Sequence, residues 1–348
     1  MSAEKQSARF TSESMDAVEA TAPSPSDQRA DAILDRWRSA IPEIEWAVQA
    51  SLIERIRRLK KQREAVILAH NYQTPEIFHG VADFTGDSLG LARQGSETDA
   101  EVIVLCGVHF MAETAKILSP EKTVLLPDPE AGCSLASSLA AGDVRQLRER
   151  YPGVPVVSYV NTSAAVKAES DICRTSANAV EVVQWLDSDR VILLPDEYLG
   201  DYVARHSDVE IIRWEGRCEV HERFSAEEVR GYRQQHPGIQ VLAHPECPSD
   251  VLTEADFVGS TSGMIRHLES SRPERVVLMT ECSMSDNLAL ELPAIEFVRP
   301  RSLCPHMKLI TLPKIAQALR ALEPRVEVPA AIAAGARQAL QAMLGVSR

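Results

Sequence analysis

The chain has 348 residues, 45% of them apolar, with 37 basic against 50 acidic side chains and a formal net charge of −13. That balance argues against a nucleic-acid-binding surface, which needs concentrated Lys and Arg, and it leaves enough apolar content to build sizeable cores. No apolar run approaches the roughly 20 residues of a membrane-spanning helix, and the N-terminus lacks a basic-then-apolar leader. The expectation is therefore a cytoplasmic protein with no membrane and no nucleic-acid partner, whose seven cysteines stay reduced.

Residues 1–45 are rich in Ser, Ala and Glu, with little periodicity before about Ala30, and read as a flexible N-terminal extension. A short helix carrying Trp37 and Trp46 is expected to dock from within 30–50. A first unit spans 46–134. It opens on the amphipathic stretch Leu52–Leu59, followed by the apolar run Val66-Ile-Leu-Ala-His70-Asn-Tyr72. Next come the turn-like Gly86-Asp-Ser88-Leu-Gly, a second run Val102–Cys106, the helical Phe110–Leu118, and Val124-Leu-Leu leading to Cys133. A second unit, 135–219, repeats the order with Asp143–Arg148, Val156-Val-Ser-Tyr159-Val160-Asn161, Arg174-Thr-Ser176, Val191–Pro195 and Ile211–Cys218. A third, 220–306, repeats it again with Ala226–Tyr232, Val241-Leu-Ala-His244-Pro245-Glu246, Gly259-Ser-Thr261, Val276–Thr280 and Ala294–Cys304. In residues 307–348, Leu312–Leu322 begins a fourth copy of the helix, but Arg325-Val-Glu-Val-Pro stands where a strand would follow. Ala330–Leu344 then reads as a closing helix packing back on the core.

The repeat holds in detail. His70, Tyr159 and His244 are 89 and 85 residues apart, and Cys133, Cys218 and Cys304 are 85 and 86 apart. Ser88, Ser176 and Thr261 follow the first set by 17 or 18 residues and read as helix starts. Apolar strands without alternation, separated by helices, indicate parallel sheets covered on both faces. The expected fold class is α/β, three similar α/β/α units with parallel sheets in pseudo-threefold arrangement around a common centre. The polar residues then fall at the carboxyl ends of strands, where ligands bind in such sheets.

No Cys-x-x-Cys pair is present, which argues against a local zinc ribbon. Cys106, Cys173, Cys247 and Cys282 do not recur in all three units and read as packing residues. A packing role gives no reason for Cys133, Cys218 and Cys304 to recur at one register. Zinc would recruit a fourth protein ligand that the repeat does not offer. Three thiolates arriving from separate units fit a 4Fe-4S cluster with one iron left open as a Lewis acid.

Taken together, these motifs carry a family resemblance. The chain resembles quinolinate synthases from about Leu52 to Leu322, through His70-Asn-Tyr72, Gly86-Asp-Ser88-Leu-Gly, Cys106-Gly-Val-His-Phe-Met-Ala-Glu113 and Pro127-Asp-Pro-Glu-Ala-Gly-Cys133-Ser-Leu-Ala. The match continues through Tyr159-Val-Asn161-Thr-Ser, His244-Pro-Glu246-Cys, Gly259-Ser-Thr261-Ser-Gly and Cys304-Pro-His-Met-Lys308. The resemblance implies a transferase-type condensing enzyme of NAD biosynthesis. It would join iminoaspartate (iminosuccinate) to dihydroxyacetone phosphate, giving quinolinate, phosphate and water, on a 4Fe-4S cluster held by Cys133, Cys218 and Cys304. It implies substrate binding by His70, Ser88, Tyr159, Val160, Asn161, Ser176, His244, Pro245, Glu246 and Thr261. It also implies a functional handover from an L-aspartate oxidase or dehydrogenase.

The residue types suit that chemistry. Hydroxyls at helix starts offer donors and positive dipole ends to carboxylates. His70, His244, Tyr72, Tyr159 and Glu246 are the candidate catalytic groups, with Glu246 as base and the two tyrosines positioning the triose. Seven further histidines, His221 among them, have no equivalents across the units and are left without a role. Glu113 reads as a helix-capping carboxylate, and Lys308 as either a phosphate partner or a solvated helix start. Two other functions share parts of this pattern: a hydro-lyase with the same open iron, and an iron-sulfur sensor, which would need a partner module that neither tail supplies.

Overall fold

The computed structural model describes residues 25–346, and its frame is three parallel four-stranded sheets. The first contains β1 (Ala65–His70), β2 (Phe84–Gly86), β3 (Val102–Cys106) and β4 (Thr123–Leu125) in the order β2-β1-β3-β4. The second contains β5 (Val156–Tyr159), β6 (Ile172–Arg174), β7 (Arg190–Leu194) and β8 (Glu210–Arg213), in the same order. The third contains β9 (Gln240–Ala243), β10 (Phe257–Val258), β11 (Arg275–Met279) and β12 (Glu296–Val298), again in that order. Three copies of one topology establish the expected α/β class.

The central strands are β-branched and buried: every residue of β3 is buried, as are Val191–Leu194 and Val276–Met279. Helices cover both faces, which is why these runs show no polar alternation. The sequence predicted three strands per unit, and the structure adds a fourth at one edge, namely β2, β6 and β10. With two or three residues each, these strands are too short to carry a readable apolar pattern.

A repeated aspartate clamp holds these short edge strands. Just before them, Asp83, Asp171 and Asp256 each accept a 2.7 Å hydrogen bond from a backbone amide of the neighbouring central strand, at Ile67, Val156 and Val241. The aspartates' own amides donate back to the carbonyls of the same three residues at 2.8–3.0 Å. From the preceding amphipathic helix, Lys60, Arg148 and Arg233 pair with the three carboxylates at 2.7, 2.9 and 3.1 Å. The same cations also bond the carbonyls of Val81, Glu169 and Glu254. Two backbone bonds to one residue lock the register that two or three strand residues alone would fix weakly.

Two helices lead into the first unit, Pro25–Ala40 followed by Glu43–Gln62. The boundary expected at residue 45 thus falls inside a helix, and residues 1–24 of the expected extension lie outside the described residues. The helix Leu312–Ala321 packs on Glu43–Gln62 and β3, and Ala330–Val346 packs on β6 and on helices of the first and second units. Where the fourth strand fails, only one antiparallel bridge forms, between Leu125 and Arg325. No helix is long and apolar enough to cross a membrane among the described residues.

Candidate active site

The strand carboxyl ends of all three sheets open on one cavity. Its lining includes His70, Tyr72, Ser88, Tyr159, Asn161, Ser176, His244, Glu246 and Thr261, together with Cys133, Cys218 and Cys304. Val160 and Pro245, expected among the binding residues, are buried but do not line it. Val160 instead donates its amide to the Arg174 carbonyl at 2.9 Å, an edge-strand role.

Hydrogen bonds between units assemble the cavity wall. Asn71 Nδ2 donates to Thr261 Oγ1 at 2.8 Å, and Ser262 Oγ donates to Asp87 Oδ2 at 2.7 Å, joining the first and third units. Ser134 Oγ donates to the Arg217 carbonyl and accepts the Glu219 amide, joining the first and second. His306 Nε2 lies 3.0 Å from Glu219 Oε1, joining the second and third, and within the third Ser302 Oγ donates to the Val220 carbonyl.

Two of the three hydroxyl positions are helix starts, as predicted. Ser88 and Thr261 are the first residues of helices capped by Asp87 and Ser260, whose side chains accept the Gly90 and Gly263 amides. Ser176 instead occupies a turn, because Asn178 Oδ1 takes both the amide and the hydroxyl of Thr175, delaying the helix to Ala179. The cavity lining holds no lysine or arginine among the described residues. An anion there would rest on helix N-termini, hydroxyls and ring N–H groups.

His70 and His244 share one local geometry. The amide two residues on, at Tyr72 and Glu246, donates to Nδ1 at 3.2 and 3.3 Å. Burial lowers the His70 pKa to about 4, and burial with neighbouring His221 and His70 lowers that of His244 to about 3. Each ring is therefore neutral at pH 7 with its proton on Nε2. That N–H of His244 meets Ser176 Oγ at 3.2 Å. Burial raises the phenols of Tyr72 and Tyr159 well above their usual range, so both stay protonated. Glu246, 3% exposed, would be raised by burial, but His244, His221 and a hydrogen bond from Tyr159 hold it below the ordinary carboxylate range.

His221, which the repeat passed over, is central here. It is 1% exposed, stacks on His244 at 4.5 Å between centroids, and places Nδ1 2.8 Å from Glu246 Oε2. It has no counterpart in the other units, so periodicity carried no signal for it. Arg174 was also missed. Fully buried, it lies 4.3 Å over the Tyr159 ring, and its Nη2 bonds the Leu194 carbonyl.

Burial pushes the Cys133 thiol up to about 12 and that of Cys304 to about 11, and burial with Glu246 raises Cys218 well above its ordinary value. Thiolates in such surroundings need cationic partners, which soft metal ions supply. Cys218, His221 and Glu246 have donor atoms within 4.8 Å of one another, whereas Cys133 and Cys304 stand outside that group. A zinc ion with bonds of about 2.3 Å gathers thiolates much closer together. No group within 4.8 Å brings all three sulfurs together among the described residues. The loop of Cys304 is fixed by Glu281, whose Oε1 accepts its amide at 3.3 Å. Lys308 is committed to that support: Nζ bonds Glu281 Oε1, Ser283 Oγ and the Tyr72 carbonyl at 2.8, 2.7 and 2.6 Å. It is not free to meet a phosphate. Glu113 accepts the Ala164 amide of the neighbouring unit at 2.9 Å, a structural bond.

The family model described as "Quinolinate synthetase A protein" matches residues 54–345. The chain is 62% identical over 314 residues to "Quinolinate synthase 1" of Mesorhizobium japonicum, covering 90% of this chain and 97% of that protein. It is 59% identical over 314 residues to a quinolinate synthase of Agrobacterium fabrum, covering 90% and 91%. To one of Sinorhizobium fredii it is 56% identical over 316 residues, covering 91% and 88%.

Proposed function

The chain belongs to the quinolinate synthase family, and from that premise we propose that it condenses iminoaspartate with dihydroxyacetone phosphate to give quinolinate, phosphate and water. One observation carries the reading: three cysteines from three units line the same cavity as the hydroxyl, imidazole and carboxylate groups. Cys133, Cys218 and Cys304 would hold a 4Fe-4S cluster, which supplies a Lewis acid when bound.

The chain's own residues do the rest. Ser88, Ser176 and Thr261 bind the two carboxylates of iminoaspartate, with the helix N-termini at Ser88 and Thr261 adding positive potential. His70 and His244 donate from Nε2 to substrate oxygens without carrying charge. Asn161 Oδ1, buried without a partner, accepts from a hydroxyl or imine N–H. Tyr72 and Tyr159 orient the triose and deliver protons. Glu246 removes protons during carbonyl isomerisation and dehydration. Val108, Phe110, Met111, Leu135 and Met307 exclude water from an imine prone to hydrolysis. An L-aspartate oxidase or dehydrogenase supplies that imine.

The test is anaerobic purification and an assay of quinolinate from the two substrates. A protein replete in iron and sulfide that forms no quinolinate would overturn the reading. A hydro-lyase would turn over a hydroxy acid without consuming dihydroxyacetone phosphate.

A further inference from the structure

Arg174 breaks the threefold repeat at one register. Three residues past the clamp aspartates stand Gly86, Arg174 and Gly259. Gly86 pairs with His70 and Arg174 with Tyr159, and the Val258–Ala243 pair sets Gly259 beside His244. Two units thus keep a glycine next to their cavity ring, whereas the second unit places an arginine there. Its guanidinium carbon lies 4.3 Å from the centroid of the Tyr159 ring, and Nη2 reaches across to the Leu194 carbonyl of β7 at 3.3 Å. The side chain is fully buried and does not line the cavity.

Stability gives no reason for such a residue. A guanidinium stays charged and carries five N–H donors, and burying it without partners costs free energy. Here Nε and Nη1 have no partner. Asp196, two residues past Leu194, is fully buried as well, but its Oδ1 accepts the Leu199 amide and its Oδ2 is unpartnered. Burial, with Glu246 adding to it, pushes the Asp196 carboxyl well above the usual carboxylate range, which makes it a weak counter-ion. Glu246 is held below that range and is the stronger one. Tyr159 joins the two charges, with its ring face under the guanidinium and its hydroxyl donating to Glu246. A cation on the face of a phenol is attracted to the ring's negative quadrupole and draws density away from the oxygen. It thereby offsets part of the rise that burial imposes on this phenol.

We propose that Arg174 is a positioning residue that acts through the Tyr159 ring, fixing the direction of its hydroxyl and strengthening it as a hydrogen-bond donor. The O–H is then aimed at negative charge, on Glu246 in the free site and on a substrate oxygen in the loaded one. Because Tyr159 must face substrate, this role rests on the proposed condensation.

The experiment compares Arg174→Met, which keeps the apolar stem and removes the charge, with Arg174→Lys, which keeps a cation without the planar fork. Each is assayed as cluster-loaded enzyme, beside wild type and again with Tyr159→Phe added. Expected for Arg174→Met is a kcat lower by about 30-fold, the worth of a desolvated cation–π contact, with Arg174→Lys within about 5-fold of wild type. Tyr159→Phe keeps the ring and removes the hydroxyl. In that background Arg174→Met should change kcat by less than about 3-fold, since no O–H remains for the cation to act on. The same cycle read as the dissociation constant of quinolinate serves if Tyr159→Phe turns over too slowly to measure. The melting temperature of Arg174→Met should hold or rise, because a poorly partnered buried charge is gone. Arg174→Met within about 3-fold of wild type, an equal loss with and without the Tyr159 hydroxyl, or Arg174→Lys as impaired as Arg174→Met overturns the proposal. A melting temperature lower by more than about 5 °C does so too, since the charge would then serve the fold. If Arg174→Met does not fold, Arg174→Gln carries the same comparison. A wild type that forms no quinolinate overturns the proposed function instead, a separate outcome.

Discussion

Lowering the pH from 7.5 to 5 should destabilise the cluster-free protein through His70 and His244. In the folded chain these rings hold values of about 4 and about 3, whereas an unfolded imidazole titrates near 6.5. As pH falls, the unfolded state takes up protons that the folded state refuses, so stability declines. The contribution is fully present above about 6.5, and its loss is complete only once pH has passed the folded values. At pH 5 both folded rings remain neutral, about 1.5 units below the unfolded value. At about 1.4 kcal/mol per unit, this is a loss of about 2 kcal/mol for each ring, or about 4 kcal/mol for the pair. Urea unfolding at the two pH values, compared with the His70→Gln/His244→Gln double variant, isolates this share from the carboxylates. A double variant whose stability falls with pH as steeply as wild type, within about 1 kcal/mol, would refute the assignment. Imidazole NMR signals from either residue titrating above pH 6 would do the same.

Three further outcomes are expected. Cys218→Ser should lose the visible absorption and most of the iron, and iron analysis showing full retention would sink the three-thiolate site. Glu246→Gln should hold iron but lower kcat by about 10²- to 10⁴-fold, the range for removing a general base; a loss under 10-fold in the quinolinate assay would exclude that role. Lys308→Met leaves the buried Glu281 carboxylate without its cation and should cost about 3 kcal/mol, with faster iron release to a chelator because Glu281 also holds the Cys304 amide. Thermal melting together with chelation kinetics checks this, and Glu281→Gln added to Lys308→Met should recover part of the lost stability.

The threefold sheets were readable because Val66–His70, Val102–Cys106 and their counterparts are buried runs at fixed spacing, and one period exposes them all. The edge strands were not, since Phe257–Val258 is shorter than any pattern. Their clamp was in plain sight, however: Asp83, Asp171 and Asp256 keep the same register, and each follows its helix cation by 23 residues. The repeat equally directed attention to His70, Tyr159 and His244 and away from His221, which has no counterpart in the other two units and owes its place to Glu246 and the His244 ring within its own unit. For His221 a weak signal existed, its position three residues past Cys218. Lys308 could not be decided from sequence because its acceptors lie in two segments remote from it in the chain, at Tyr72 and at Glu281–Ser283.

The aspartate clamp has a reach beyond register. Each clamp aspartate stands five residues ahead of a cavity hydroxyl, Ser88, Ser176 or Thr261, and its cation comes from a helix whose charged face meets solvent. A change at Lys60, Arg148 or Arg233 therefore acts as the long arm of a lever whose short arm ends inside the cavity. Three such levers converge on one cavity, each adjustable on its own. The setting of the cavity hydroxyls in this architecture is open to adjustment from the outer surface, with no alteration to any group that lines the cavity.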